Sequence, residues 1–187
     1  SLFNFIALGL GWAVAPRIAA VIFFAGVLLW WYCNRLKRKP FIGNVAVAFL
    51  TGLSIYLVGY YYQKNELFVF TYALFAFFLN LIRELLKDLE DRHGDQLHGS
   101  KTLPIVLGFL KTKQVIYSIA ITFVGAILTV TFQLNDANLY FYFGGLGIIF
   151  CWFIWRIHVA DRKEQFAQLS AIAKAIMFIG TLSMAFV

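Results

Sequence analysis

Glu84, Asp88, Asp91 and Asp95 are four of the five acids, Glu90 being the fifth, in the stretch RELLKDLEDRHGDQLHGSKTLP, residues 83–104. On a helix, spacings of four, three and four residues place them on one face. Like charges so spaced repel, and a helix selected for stability alone would not carry them. The plain alternative is a solvated helix end laced with ion pairs, with Arg83 and Lys87 offsetting part of the repulsion. Aspartate is a poorer helix former than glutamate, and its short arm suits ligation of a hard cation. Mg²⁺ keeps several waters and takes one or two carboxylates together with phosphate oxygens of a substrate. The run D-x-x-D-x-x-x-D beside lysines and arginines therefore points to a phosphate or diphosphate held through Mg²⁺. His93 and His98 lie in the same stretch but lack the spacing of a zinc site.

The elements that must position these acids are set by composition. Of 187 residues 61% are hydrophobic and 13% charged, with mean hydropathy +0.78, whereas a soluble domain carries roughly 25% charge. A helix crosses the hydrocarbon with about 20 mostly apolar residues. Apolar runs at about 1–14, 18–33, 41–61, 67–86, 114–133, 139–157 and 168–187 predict an all-α, polytopic transmembrane bundle of about seven spans. They form one domain over 1–187. The net charge of +7 does not indicate nucleic acid, because the basic residues flank spans. Arg35, Lys37, Arg38 and Lys39, the cations of 83–113, and Arg156, Arg162 and Lys163 alternate onto one side. The other side holds Arg17 and Lys64. By the lysine and arginine asymmetry the acids face the cytoplasm. Cys33 and Cys151 read as small buried apolar residues, without disulfide or metal spacing. Lys37 is a candidate phosphate contact, while Arg38 and Lys39 also fit a plain membrane anchor. Asn44 and Asn80 are polar residues inside spans, a costly placement that points inward. Asn80, one turn below Glu84, fits either a substrate contact or a hydrogen bond between helices.

Taken together, these residues resemble a known family. Asp88, Asp91, Gly94 and Asp95, followed by Gly99, Thr102, Leu103 and Pro104, are similar to the second aspartate-rich motif of the UbiA superfamily of intramembrane prenyltransferases. Tyr32, Lys37, Arg38, Gly43 and Asn44, within YCNRLKRKPFIGN, resemble the family's basic loop and the start of its next helix. The resemblance covers essentially the whole chain, as the third to ninth helices of a nine-helix fold. It implies Mg²⁺-dependent transfer of a prenyl chain from an allylic prenyl diphosphate to a lipophilic acceptor. Asp88, Asp91 and Asp95 would hold the metal, and Lys37, Arg38, Tyr32, Asn44 and Asn80 would surround the diphosphate.

The family's first motif, N-D-x-x-D-x-x-x-D, has no counterpart, since Asp136 and Asp161 are isolated. The expectation is that a longer parent carries it before Ser1, and that this chain alone supplies half a site and is inactive. The run R-E-x-x-K-D-x-E-D-x-x-G-D is most similar to the digeranylgeranylglyceryl phosphate synthase branch, which prenylates a glycerol phosphate ether. Aromatic-acceptor branches of quinone-type biosynthesis are the alternative. A CDP-alcohol phosphotransferase would need D-G-x-x-A-R, which is absent. A divalent-cation transporter or scaffold is the alternative of another class, though a transporter places its acids at the midplane on broken helices.

Overall fold

The structure, a computed structural model, describes residues 2–62, 66–134 and 137–182. Lys64 and Asp136 lie outside the described residues, as do the side chains of Leu2, Arg38, Leu134, Ala137, Asn138, Leu139 and Tyr142. In hydrocarbon every backbone polar group must be satisfied within its own segment, and long apolar runs answer this by becoming helices. The helices are α1 (Leu2–Val14), α2 (Pro16–Asn34), α3 (Ile42–Tyr61), α4 (Glu66–Leu97), α5 (Leu103–Val106), α6 (Phe109–Leu134), α7 (Ala137–Val159) and α8 (Lys163–Leu182), with a 3₁₀ turn at Leu36–Arg38. Pro16 opens α2, at the position where its missing N–H costs least. Gln165 starts α8 by accepting from the backbone N–H groups of Asp161 and Arg162 at 2.8 and 3.0 Å, a reach-back of the capping-box type.

The expected bundle of about seven spans within a nine-helix fold is corrected. Eight α-helices form, and among the described residues five are long and apolar enough to cross a membrane: α2, α3, α4, α6 and α8. Hydropathy counts apolar runs, but crossing requires helical length. The 13 residues of α1 rise only about 20 Å, short of the roughly 30 Å hydrocarbon. The described apolar part of α7, Phe143–Val159, is likewise a shorter helix. Cys33 and Cys151 are exposed rather than buried, because each faces outward from its helix.

The centre of the bundle is α4, packed against α3, α6 and α8. Leu79, Ile82, Leu85 and Leu86 share one apolar core with Ile116 and Phe123 of α6, Phe150, Phe153 and Ile157 of α7, and Phe166 and Leu169 of α8. Two-thirds of the apolar window of α4 is buried, against 6% for α2, which is peripheral. At 32 residues α4 is about 48 Å long, well beyond the hydrocarbon thickness. Its apolar stretch ends at Ile82, and the portion from Arg83 onward projects past the spanning part.

One buried cation secures the neighbouring corner. Lys113 of α6 is 5% exposed, and its ammonium donates to the carbonyl of His158 at 3.0 Å and lies 3.4 Å from Asp161 Oδ1. That carbonyl belongs to the last turn of α7, where the helix dipole favours a positive charge. The ammonium also stands over the Phe109 ring, 4.9 Å from its centroid. Losing a hydrogen-bonded buried charge of this kind costs about 1.5–3 kcal/mol. Lys113→Ala is therefore expected to lower the thermal unfolding temperature in detergent, with Lys113→Arg intermediate. Equal melting of the three proteins would remove this role for Lys113.

Candidate functional site

The acidic face of α4 looks toward α3. Asn80 and Asp88 sit on it two turns apart, and each is met by a side chain of the facing helix. Asn80 is 4% exposed and donates to Thr51 Oγ1 at 2.8 Å, while that hydroxyl donates to Val47 O at 3.0 Å. Asn80 is thus held in a bond between helices. One turn beyond it, Glu84 pairs with Arg83 at 2.8 Å and with Lys87 at 3.3 Å, the local compensation that the sequence suggested. At the next turn Asn44 Nδ2 donates to Asp88 Oδ2 at 2.7 Å.

Local backbone geometry explains how Asn44 reaches that position. Gly43 is buried, and a Cβ there would stand 2.7 Å from the carbonyl oxygen of Leu36 and 3.3 Å from the Tyr32 ring. Only glycine allows the 3₁₀ turn and the end of α2 to close on the first turn of α3. Just before it, Phe41 has φ 65° and ψ −44°, and Ile42 N–H donates to Pro40 O at 2.7 Å. This is the uncommon γ-turn, a strained conformation for a residue with a side chain. Such strain persists only where the surroundings hold it, and Phe41 packs against the core. Tyr32, half-buried, lies within electrostatic reach of Glu84 and Asp88.

Beyond Asp88 the site opens. Asp95 is half-buried and Asp91 exposed. Helix α4 then stops at Gly99, with φ 68°, where Ser100 N–H reaches Asp95 O at 3.0 Å and Gly99 N–H reaches Gln96 O at 3.3 Å. This pair of bonds is a Schellman ending, which calls for a left-handed residue at that position. Lys37 is exposed on the 3₁₀ turn. None of the ion pairs among the described residues joins it to an aspartate. The side chain of Arg38 lies outside the description. The structure thus groups Tyr32, Asn44, Glu84, Asp88 and Asp95, and leaves Asp91 and Lys37 at the rim and Asn80 one layer deeper.

Asp88 stands beyond the spanning part of α4. Burial pushes its carboxyl up from 3.8 to about 6. The Asn44 hydrogen bond pulls it down, Asp95 and Glu84 raise it, and Lys87 lowers it. This is a carboxylate in need of positive charge. Among the described residues no three His, Cys, Asp or Glu side chains converge as a closed metal cage. Mg²⁺ does not demand one, since it takes one or two carboxylates and completes its shell with water and phosphate oxygens. The hard-oxygen donors on this face fit such an ion.

Folded Asp88 holds its proton more tightly than an unfolded aspartate. Its contribution to stability is therefore complete below the free value of about 3.9 and is lost as pH rises through about 6. With divalent ions chelated, the melting temperature should fall across that window, and Asp88→Asn should flatten the fall. A profile untouched by the substitution would contradict the burial of this charge.

Comparisons with known proteins identify the family. The profile of the UbiA prenyltransferase family matches residues 1–182. The digeranylgeranylglyceryl phosphate synthase of Methanosphaera stadtmanae is 30% identical over 179 residues, 94% of this chain and 65% of that protein. Those of Thermococcus gammatolerans and Methanobrevibacter smithii are 43% and 38% identical over 117 and 90 residues. These matches cover 62% and 47% of this chain, and 42% and 32% of the respective relatives. The chain thus spans from about a third to just under two-thirds of the length of these curated relatives. No solved structure matches it. A profile match running from the first residue to the last helix, over the face that carries Asp88 and the turn that carries Lys37, places the chain in the UbiA prenyltransferase family.

Proposed function

We propose that this chain is part of a single transmembrane prenyltransferase domain. In this reading the protein transfers a prenyl chain from an allylic prenyl diphosphate to a lipophilic acceptor, using Mg²⁺. The observation that carries the reading is Asp88. It is a half-buried carboxylate fixed by Asn44 at the projecting end of an apolar bundle, with Asp95 and Glu84 adding negative charge. The name shared by the curated relatives, digeranylgeranylglyceryl phosphate synthase, favours a glycerol phosphate ether lipid as acceptor and geranylgeranyl as the transferred chain.

Asp88, with half-buried Asp95 and with Asp91 at the rim of the same face of α4, would hold the cation, water and phosphate oxygens completing its shell. When bound, Mg²⁺ supplies the positive charge that stabilises a departing diphosphate. Lys37 and Arg38, on the turn that Gly43 seats beside the site, add cationic contacts to the phosphate oxygens. Tyr32 borders the same place. The apolar body behind Asp88 keeps water from the allylic carbon once its bond to oxygen breaks and the electron pair leaves with the diphosphate. The acids stand beyond the apolar part of a continuous helix, unlike midplane transporter sites on broken helices.

Two measurements test this reading. In the native protein, diphosphate release from geranylgeranyl diphosphate should stop in EDTA and return with Mg²⁺. Asp88→Ala should lower turnover by about 10²-fold or more, the scale on which lost charge stabilisation acts. Turnover that survives chelation or the substitution would sink the reading. Separately, the lysine and arginine asymmetry puts the acidic end in the cytoplasm. A single cysteine introduced by Ser100→Cys, with Cys33 and Cys151 replaced by alanine, should react with a membrane-impermeant maleimide only after the cells are permeabilised. Labelling of intact cells would reverse the orientation.

A further inference from the structure

We propose that Asn44 is a positioning residue that governs how Asp88 meets its cation: by holding Oδ2 from α3, it leaves Oδ1 as the ligating oxygen and so favours Mg²⁺ over Ca²⁺. The inference rests on the function proposed above and concerns a residue that the sequence placed among the diphosphate contacts. At 2.7 Å the Asn44 amide is a short donor to a charged acceptor. An ionised carboxylate only accepts, which sets the direction of the bond. Each carboxylate oxygen has two lone pairs, so two-oxygen chelation would either load Oδ2 with both Asn44 and the metal or turn it away from Asn44, whereas ligation through Oδ1 alone does neither.

Asn44 has little freedom to follow such a turn. It is in the first turn of α3, and Gly43 beside it is wedged against Leu36 O and the Tyr32 ring. The γ-turn at Phe41 fixes where that helix begins. The carboxylate is therefore held at Oδ2 from a helix start that is itself packed in place. Ca²⁺ accepts six to eight oxygens and readily takes both oxygens of one carboxylate. Mg²⁺ is smaller, requires a near-octahedral shell and keeps several waters. A single preset oxygen suits the second ion. The same bond links the basic 3₁₀ turn to the acids, because Gly43 seats that turn on the residue next to Asn44.

The test is cation binding to the full chain in detergent, read by electron paramagnetic resonance of Mn²⁺ displaced by Mg²⁺ or by Ca²⁺. Asn44→Ala should shift the ratio of the two affinities toward Ca²⁺ by about tenfold, within the range seen when the partner orienting a metal ligand is removed. A ratio within about twofold of the unmodified chain, where removing such a partner ordinarily costs tenfold or more, would overturn the inference. A second measurement needs no folded Asn44 variant. In the unmodified chain, the infrared carboxylate band lost in Asp88→Ala should show the wide stretch separation of one-oxygen ligation when Mg²⁺ binds. A narrowed, chelate-type separation would overturn the inference. Mn²⁺ binding that survives Asp88→Ala overturns the proposed metal site itself. Binding abolished by Asp88→Ala but with an unchanged Mg²⁺ to Ca²⁺ ratio in Asn44→Ala overturns the role of Asn44 alone.

Discussion

A helix surrounded by other helices has nowhere to place charge except at its ends, and α4 is such a helix. Its middle is buried against α3, α6 and α8, where an ionised side chain would be costly. Its last turns project past the apolar stretch as one continuous helix. The acids therefore ride on a rigid extension of the core, and their spacing comes from helical geometry instead of a loop. The neighbouring parts of the site follow from this. The 3₁₀ turn is brought in by the contact of Gly43 with Leu36, and the α7–α8 corner is fastened by Lys113.

The acidic end is also held on the side away from α3. The Arg92 guanidinium lies 5.5 Å from the centroid of Phe109, and Phe109 meets Phe166 edge-on at 5.7 Å. Lys113 stands over Phe109 and, at 5.9 Å, over Phe166. Two cations and two rings thus join the D-x-x-D-x-x-x-D segment to α6 and α8. Cation–π contacts are worth about 0.5–1 kcal/mol where exposed and about 2 where desolvated. The basic residues near the acids accordingly serve different ends: Arg83 and Lys87 neutralise Glu84, Arg92 and Lys113 pack on rings, and Lys37 stays open.

Local signals made much of this legible in the sequence. The face shared by Asp88, Asp91 and Asp95 follows from spacing, whereas Gly99 was read only as part of the motif and its left-handed stop of α4 is seen only in the structure. The interhelical alternative for Asn80 was visible, but its partner Thr51 was not, because a hydroxyl that bonds its own helix gives no long-range signal. The number of membrane-crossing helices was overcounted, since α1 is apolar yet too short. Cys33 and Cys151 were placed inside because cysteine is usually buried, but in a membrane bundle the outward face is apolar as well. Lys113 was read only as one of the cations on the basic side. Its burial depends on Phe109, Phe166 and a carbonyl 45 residues away, and nothing in its immediate neighbours marks it.

The two bonds between α3 and α4 act as a two-point gauge. Asn80 and Asp88 are eight residues apart on α4, and their partners Thr51 and Asn44 are seven apart on α3. At 1.5 Å per residue these separations are about 12 and 10.5 Å, nearly matched on helices of opposite direction. Sliding one helix along the other by a single residue, or turning it by about 100°, would break both bonds together. The pair can tilt as a unit when the bilayer thins or thickens but has no easy way to shear. The acid at its tip therefore keeps its calibration while the surrounding lipid changes.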